Sequence, residues 1–496
     1  MTTSAGTGSM LNASDYKHYV DAFNAADEED VVNLIPNAAA WDWMSENVPL
    51  FTCPDPTIEE IYYYRWWTFR KHVKHTQAGI IVTEFILPVR HAGTHNSISC
   101  ALGHHLAEGR WIHDRRILDE YTRFWFRGGE NGGPEYRFHR YSQWTAAAML
   151  DRYRVTGDTA LLLDLLLDLV ADYAKWEEEK LRPDGLFWQF DVWDGMEESI
   201  SGSRKHKNAR PTINSYMYGN ALSIAEIATM AGQADVAERF RAKAAELKSL
   251  VQEVLWDSQA QFFKAQSEEG PLSDAREAIG FIPWCFNLPD PGREAAWAQL
   301  TDPQGFWAPF GITTAERRHP RFRSHGVGKC EWDGAVWPFA TSQTLNALAN
   351  VLRHYEQSYV TNRDYFEAMR TYAKSQHWGN RPYIGEYLDE NSGEWLKGDN
   401  PRSRYYNHST FADLVISGLV GIVPRADDTV EVDPLLPADA WDWFCLDNVP
   451  YHGHRLTIAW DRTGNRFGEG AGMRVLVDGR ETARADRLTR VTGTLN

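Results

Sequence analysis

Apolar residues recur at three- and four-residue spacing through most of this chain, and that period confines it to helices that must bury one face against each other. Leu162, Leu165, Leu166, Leu169, Tyr173 and Trp176 make one such stripe, and Val236, Phe240, Ala244, Leu247 and Val251 another. Short stops join the stripes: Thr156-Gly157-Asp158 ends one helix and caps the next, and Ala231-Gly232-Gln233 does the same further on. Helices joined so tightly pack as antiparallel neighbours. Further helices are expected over 58–75, 114–127, 140–155, 213–230, 337–355, 364–377 and 408–421, with weaker candidates at 97–106 and 292–300. The count approaches the twelve of six closed hairpins, so the expected fold is mainly α, an (α/α)6 toroid over residues 58–423.

Past Pro424 the period drops to two, as in Thr429-Val430-Glu431-Val432, Leu456-Thr457-Ile458-Ala459-Trp460 and Met473-Arg474-Val475-Leu476-Val477. Residues 424–496 are therefore expected to form a small β appendage, with Asp478-Gly479 as a hairpin turn. An earlier short strand is expected at 80–87. Residues 1–57 read as an N-terminal tail and lead-in, the first fourteen, rich in Ser, Thr and Gly, as disordered.

Composition narrows the partners. A formal charge of −17 disfavours nucleic acid, whose binding draws on Lys and Arg. Five scattered Cys form no C-x-x-C pair, so neither a disulfide framework nor a zinc cluster is expected. His91 and His95 have the spacing of a metal pair but no third ligand, so no metal and no organic cofactor is expected. The most apolar stretch, 161–170, is interrupted by Asp164 and Asp168, which leaves no membrane span. No basic start leads into an apolar run, so a cytoplasmic location is expected. The 21 Trp, 21 Tyr and 22 Phe suit the C–H faces of a sugar, which makes carbohydrate the expected ligand. The oligomeric state is left open.

Two loops mix acids with aromatic rings. Trp188-Gln189-Phe190-Asp191-Val192-Trp193-Asp194-Gly195-Met196-Glu197-Glu198-Ser199 carries four acids between two helices, and Tyr383-Ile384-Gly385-Glu386-Tyr387-Leu388-Asp389-Glu390 carries more before another. A carboxyl held among apolar rings keeps its proton to higher pH, as a general acid must. Cleavage of a glycosidic bond needs one protonated and one ionised carboxyl, and one acid from each loop meets that need. Glu331 is a third candidate carboxylate. Trp188, Trp193, Trp337 and Trp395 are candidates for stacking on sugar, and Arg210, Asn214 and Tyr216 for binding hydroxyls.

Asp194-Gly195-Met196-Glu197-Glu198-Ser199 resembles the general-acid loop of the six-hairpin glycosidases, the clan of trehalases, processing α-glucosidases and mannosylglycerate hydrolases. The clan's acid follows a Gly by two positions, which selects Glu197, with Asp194 and Asp191 as alternatives because the clan's usual Asp is Glu here. Trp332-Asp333-Gly334-Ala335-Val336-Trp337-Pro338 resembles the clan's Arg-Gly-Pro-x-Trp sugar-contacting loop, with Asp333 in place of Arg. Glu386-Tyr387, followed by Ser392-Gly393 and by His408-Ser409-Thr410-Phe411, resembles the general-base segment and makes Glu386 the base.

The runs Tyr64-Arg65-Trp66-Trp67-Thr68-Phe69-Arg70-Lys71-His72, Arg210-Pro211-Thr212-Ile213-Asn214-Ser215-Tyr216 and Asn407-His408-Ser409-Thr410-Phe411-Ala412-Asp413-Leu414 resemble proteins of the mannosylglycerate-hydrolase-like type. These belong to glycoside hydrolase families 63 and 142, some of the latter β-L-arabinofuranosidases. The resemblance implies an inverting, exo-acting glycosidase, β-L-arabinofuranosidase-like. Alternatives are an α-glucosidase or α-mannosidase type, a phosphorolytic variant using Arg204, Lys205, Lys207 and Arg210, and a non-catalytic carbohydrate-binding protein.

Overall fold

The computed structural model describes residues 9–268, 270–326 and 328–496. Between Pro56 and Val420 twelve helical elements alternate between an outer and an inner ring. The inner ring consists of Leu102–Gly109, Thr145–Thr156, Pro211–Met230, the 3-10 run Ala278–Phe286, Pro338–His354 and the π-helical turn Leu414–Val420, each touching the next. Pro56–His72, Arg116–Arg127, Leu166–Lys180, Ala234–Val254, Glu294–Gln299 and Asn362–Ser375 lie outside. This is the (α/α)6 toroid that the hairpins call for.

Burial follows position in the ring. Ala234–Val254 buries Ala237, Phe240, Ala244, Leu247 and Val251, one stripe of an amphipathic outer helix. Pro211–Met230 is buried on nearly all sides, with Pro at its first turn and small residues where neighbours approach. At Gly219 a Cβ would stand 2.3 Å from the Phe286 ring, so only glycine admits that contact. Gly157 closes Thr145–Thr156 in the left-handed region, φ 69°. The 162–176 stripe is split at Leu165 into Ala160–Asp164 and Leu166–Lys180.

The ring is closed by a buried carboxylate. Glu108, at the end of the first inner helix, accepts the backbone N–H groups of Phe411 (3.1 Å), Ala412 (3.2 Å) and Asp413 (2.8 Å), together with Arg65 Nε (3.1 Å). Arg65 and Glu108 are each 1% exposed. Arg65 also donates to the Ser409 carbonyl at 2.8 Å, and Asp413 accepts from Arg110 and from the Trp111 indole, both at 2.7 Å. These bonds shorten the helix expected over 408–421: they cap a helical run that starts with α-helical Ala412 and Asp413 and continues as the π-helical turn Leu414–Val420.

The C-terminal strands form two antiparallel sheets. One has the order Leu50–Thr52, Trp443–Tyr451, His454–Asp461, Gly472–Val477, Arg480–Ala485, and the other Ile422–Val423, Thr429–Val432, Val491–Thr494. Asp478 and Gly479 both take positive φ in the hairpin turn. The strand expected at 80–87 is Gly79–Val82, paired with Val73–Thr76 in its own hairpin. His452 N–H donates to the Val155 carbonyl at 2.9 Å, which docks the sheets at the C-terminal end of the inner helix Thr145–Thr156.

The lead-in departs from a loose tail. Residues 1–8 lie outside the described residues, but Ser9 Oγ, Met10 N–H and Leu11 N–H all donate to Asp447 Oδ2, a buried carboxylate oxygen whose other half, Oδ1, is taken by Thr457 and Asn448. Lys17–Ala25 and Ala40–Asn47 are helical, and Leu50–Thr52 is an edge strand of the larger sheet. Among the described residues no helix is long and apolar enough to cross a membrane.

Truncating Glu108 strands Arg65 and three backbone donors in the interior. We expect Glu108→Ala to lower the unfolding free energy by about 3–5 kcal/mol, and Glu108→Gln, which keeps one acceptor, by clearly less. Urea denaturation measures both, and an Ala variant as stable as wild type would show that packing alone closes the ring.

Candidate active site

Every chain segment that runs from an outer element to the next inner one emerges at the N-terminal end of the inner ring. Four of these segments, 73–101, 181–210, 301–337 and 376–413, bring the acids together.

The 181–210 segment is buckled by its own carboxylates. Asp191 accepts the N–H groups of Val192 (2.8 Å) and Glu198 (3.2 Å), bending the chain over a 3-10 turn, Asp191–Trp193. Asp194 forms a wholly buried pair with Arg210 (Oδ2–Nε 2.6 Å) and accepts the Thr212 hydroxyl. Arg210 spends its remaining donors on Ser201 (3.3 Å) and Ser199 (3.2 Å). The result is a loop clamped to the start of Pro211–Met230, with Glu197 on its crest. No cation pairs with Glu197 among the described residues. Burial, then the charges of Glu386 and Asp191, pushes its carboxyl up to about 7.

Glu386 is 3% exposed and meets donors: the Ser403 hydroxyl at 3.0 Å on Oε2 and the Arg402 guanidinium at 3.5 Å from Oε1. The two glutamates sit in one charged neighbourhood. Both raise the Cys330 thiol, which burial and these neighbours push up to about 12. Beside Glu386 runs an aromatic slab in which Trp337 is sandwiched between Trp332 (centroids 4.3 Å, 19° between planes) and Tyr387 (4.6 Å, 17°).

The other residues singled out in the sequence lie elsewhere or are occupied. Both faces of Trp337 are covered by rings, so neither is open to a sugar. Trp188 and Trp193 hold the Lys180 ammonium at 4.0 and 4.6 Å from their centroids in a cation–π clamp. The Trp395 indole donates to the His377 carbonyl at 2.9 Å within a small apolar cluster. Asn214 bonds the backbone of Phe187 and Arg210, and the Tyr216 hydroxyl accepts from Gln343 at 2.5 Å, so both knit the inner ring. Glu331 is paired with Arg323 at 2.6 Å, and Asp333 with His325 Nδ1 at 2.8 Å.

The structure also brings in residues that the sequence pattern does not single out. Glu84, from the segment after Gly79–Val82, is 2% exposed. Burial, then the charges of Glu386 and Glu197, carries it up to about 8 against the lowering effect of the nearby Tyr406 phenol. Arg402 and Ser403 dress Glu386. A lone acid in the apolar run Ile80-Ile81-Val82-Thr83-Glu84-Phe85-Ile86-Leu87 was the available signal for Glu84.

Comparison with known proteins bears on the fold and the family. The mannosylglycerate hydrolase MGH1-like glycoside hydrolase domain matches residues 94–409, and the C-terminal domain of glycosyl hydrolase family 65 matches 425–483. A solved structure named sialidase is 52% identical over 97% of this chain, with a TM-score of 0.96, and the chain spans 45% of that protein's length. The family 78 rhamnosidase of Bacillus sp. GL1 is 15% identical over 83% of the chain and 40% of its own, with a TM-score of 0.60. The family 63 mannosylglycerate hydrolase of Thermus thermophilus is 14% identical over 71% and 99%, with a TM-score of 0.53. At those identities the last two show the fold alone. Through the match over 94–409 and the 52% identical relative, the chain belongs to the mannosylglycerate hydrolase MGH1-like glycoside hydrolase family.

Proposed function

We propose that the protein is an inverting, exo-acting glycosidase in which Glu197 protonates the leaving oxygen and Glu386 draws a proton from the attacking water. The observation that carries this reading is the contrast between two neighbouring carboxyls. Glu197 lacks a cationic partner among the described residues and holds its proton to about 7, whereas Glu386 accepts a hydrogen bond from Ser403 and lies beside Arg402. Such a pair supplies one acid and one base at neutral pH. In the reaction the Glu197 proton goes to the aglycone oxygen as the glycosidic bond breaks, and water adds to the anomeric carbon while Glu386 takes its proton. The depth of Glu386 supports a pocket for a terminal sugar in place of an open groove.

The first-choice sugar is a β-L-arabinofuranoside, on the likeness to family 142, and the second an α-glucoside or α-mannoside. A phosphorolytic route has less support, because the basic residues of this loop do not converge: Arg204 pairs with Glu198 at 3.1 Å, Arg210 is held by Asp194, and Lys207 lies 5.0 Å over Trp188.

An aryl glycoside panel led by β-L-arabinofuranoside, assayed on wild type, Glu197→Gln and Glu386→Gln, tests the assignment. One glycoside should be hydrolysed, with kcat lower by about 10²–10⁴-fold in each variant and folding intact. Activity surviving in either variant would remove that residue from its role, and binding without turnover by wild type would favour a non-catalytic protein. Asp194→Ala should behave differently, losing about 3–5 kcal/mol of stability because Arg210 is left buried and unpaired. Thermal or urea unfolding separates the two outcomes. Because Glu197 must be protonated to act, kcat/KM should fall as pH rises, with an apparent midpoint near 7 that belongs to the coupled carboxyls jointly. A pH–rate profile flat to about pH 9 would contradict this.

A further inference from the structure

Hydrolysis by two carboxyls leaves Glu84 without a task, yet its setting is built with care. Its N–H donates to the Asn96 carbonyl (3.1 Å) and its carbonyl accepts Asn407 N–H (3.0 Å), so the backbone is fixed on both sides. The Asn96 side chain in turn donates to the carbonyls of Phe85 (2.5 Å) and Leu87 (2.8 Å), which holds the whole turn. The adjoining Phe85 ring packs edge-on against Tyr406 (4.6 Å) and carries the Arg402 guanidinium 5.5 Å over its face. That guanidinium is the one beside Glu386. Glu84 therefore stands near the Glu197–Glu386 cluster on a backbone fixed on both sides.

Glu84 Oε2 is buried and has no hydrogen-bond partner among the described residues. The groups facing it are Glu197, Glu386, Arg402, the phenols of Tyr406, Tyr121 and Tyr141, and the Cys100 thiol. Arg402, the one cation among these, is turned to Glu386. A buried polar atom left unpaired is costly, and such atoms persist where a ligand completes them. A carboxyl that retains its proton at neutral pH offers both a donor and an acceptor, which matches a sugar hydroxyl.

We propose that Glu84 is a substrate-holding residue whose free Oε2 hydrogen-bonds a hydroxyl of the terminal sugar. This rests on the glycosidase reading above and adds a specificity contact to it, since a site with a buried hydrogen-bonding group rejects a sugar that lacks the matching hydroxyl.

The test is a double cycle. Wild type, Glu84→Ala and Glu84→Gln are assayed on the glycoside that wild type hydrolyses and on its monodeoxy analogues, with thermal melting as the folding control. Glu84→Ala should lower kcat/KM about 100-fold, and Glu84→Gln, which keeps a donor and an acceptor, less than about tenfold. One monodeoxy analogue should cost wild type as much as the alanine substitution does, and should cost the alanine variant nothing further. Losses that add at every ring position, or a Glu84→Ala variant within about threefold of wild type, would overturn the proposal. If the alanine variant does not fold, Glu84→Asp, which keeps the carboxyl and shortens its reach by a methylene, runs the same cycle: non-additive loss at one ring position supports the contact and additive loss at all of them overturns it. Loss of turnover in Glu197→Gln alongside an indifferent Glu84 series would sink this contact and leave the catalytic reading standing. A wild type inert on the whole panel would overturn both.

Discussion

The Glu108 carboxylate holds the toroid together at the point where a ring of helices is hardest to close, between its first and last inner elements. Four hydrogen bonds converge on it, three from the backbone of 411–413 and one from Arg65, and all are buried. Because these bonds fix where Leu414–Val420 begins, the chain before it is free to remain a long irregular segment anchored at both ends. That segment carries Glu386, Arg402, Ser403 and Tyr406. Arg65 extends the same anchor to Ser409, and His105 Nε2 bonds the Asn407 carbonyl at 2.5 Å, which places the wall around Glu84 and Glu386 under the control of the ring closure. A charge network of this kind costs desolvation, and its return here is a defined position for the site.

The acids of this chain divide by their partners. Asp194, Glu331 and Asp333 each face Arg or His, and Asp191 is tied to backbone N–H groups, so these carboxylates shape loops. Glu197 and Glu84 have no cation of their own among the described residues and are raised to about 7 and about 8. Those raised values oppose stability in a defined window. A carboxyl with a higher pKa folded than unfolded binds more protons in the folded state, so its contribution is favourable below the unfolded value near 4.5 and is lost as pH rises through 7 to 8. Carboxyls raised in this way by burial and by one another are the kind of group an acid–base site uses.

Much of the architecture was legible because it follows from periodicity. The outer stripe of 236–251, the glycine stop at Gly157, the change to period two after Pro424 and the Asp478-Gly479 turn each have a local cause. The elements that were missed depend on distant partners. Ala278–Phe286 contains Pro283 and is a 3-10 run, so it shows no helical stripe, and Leu50–Thr52 is a strand only because Trp443–Tyr451 lies beside it. The site divides in the same way. Acids interleaved with Trp drew attention to two loops whose Glu197 and Glu386 the fold brings into one charged neighbourhood, but the sequence could not show that Arg210 is consumed by Asp194, that Trp337 is covered on both faces, or that Glu84, far from Glu197 along the chain, lies near both.

The most direct test of the account is the configuration of the sugar first released. Proton NMR, followed from the first minutes of hydrolysis of the best aryl glycoside and before mutarotation, reads the anomer directly. The pairing of Glu197 as acid with Glu386 as base of an attacking water predicts a product of inverted configuration. Release with retained configuration would mean that one of the carboxyls attacks the sugar itself, and would contradict the roles assigned to the pair.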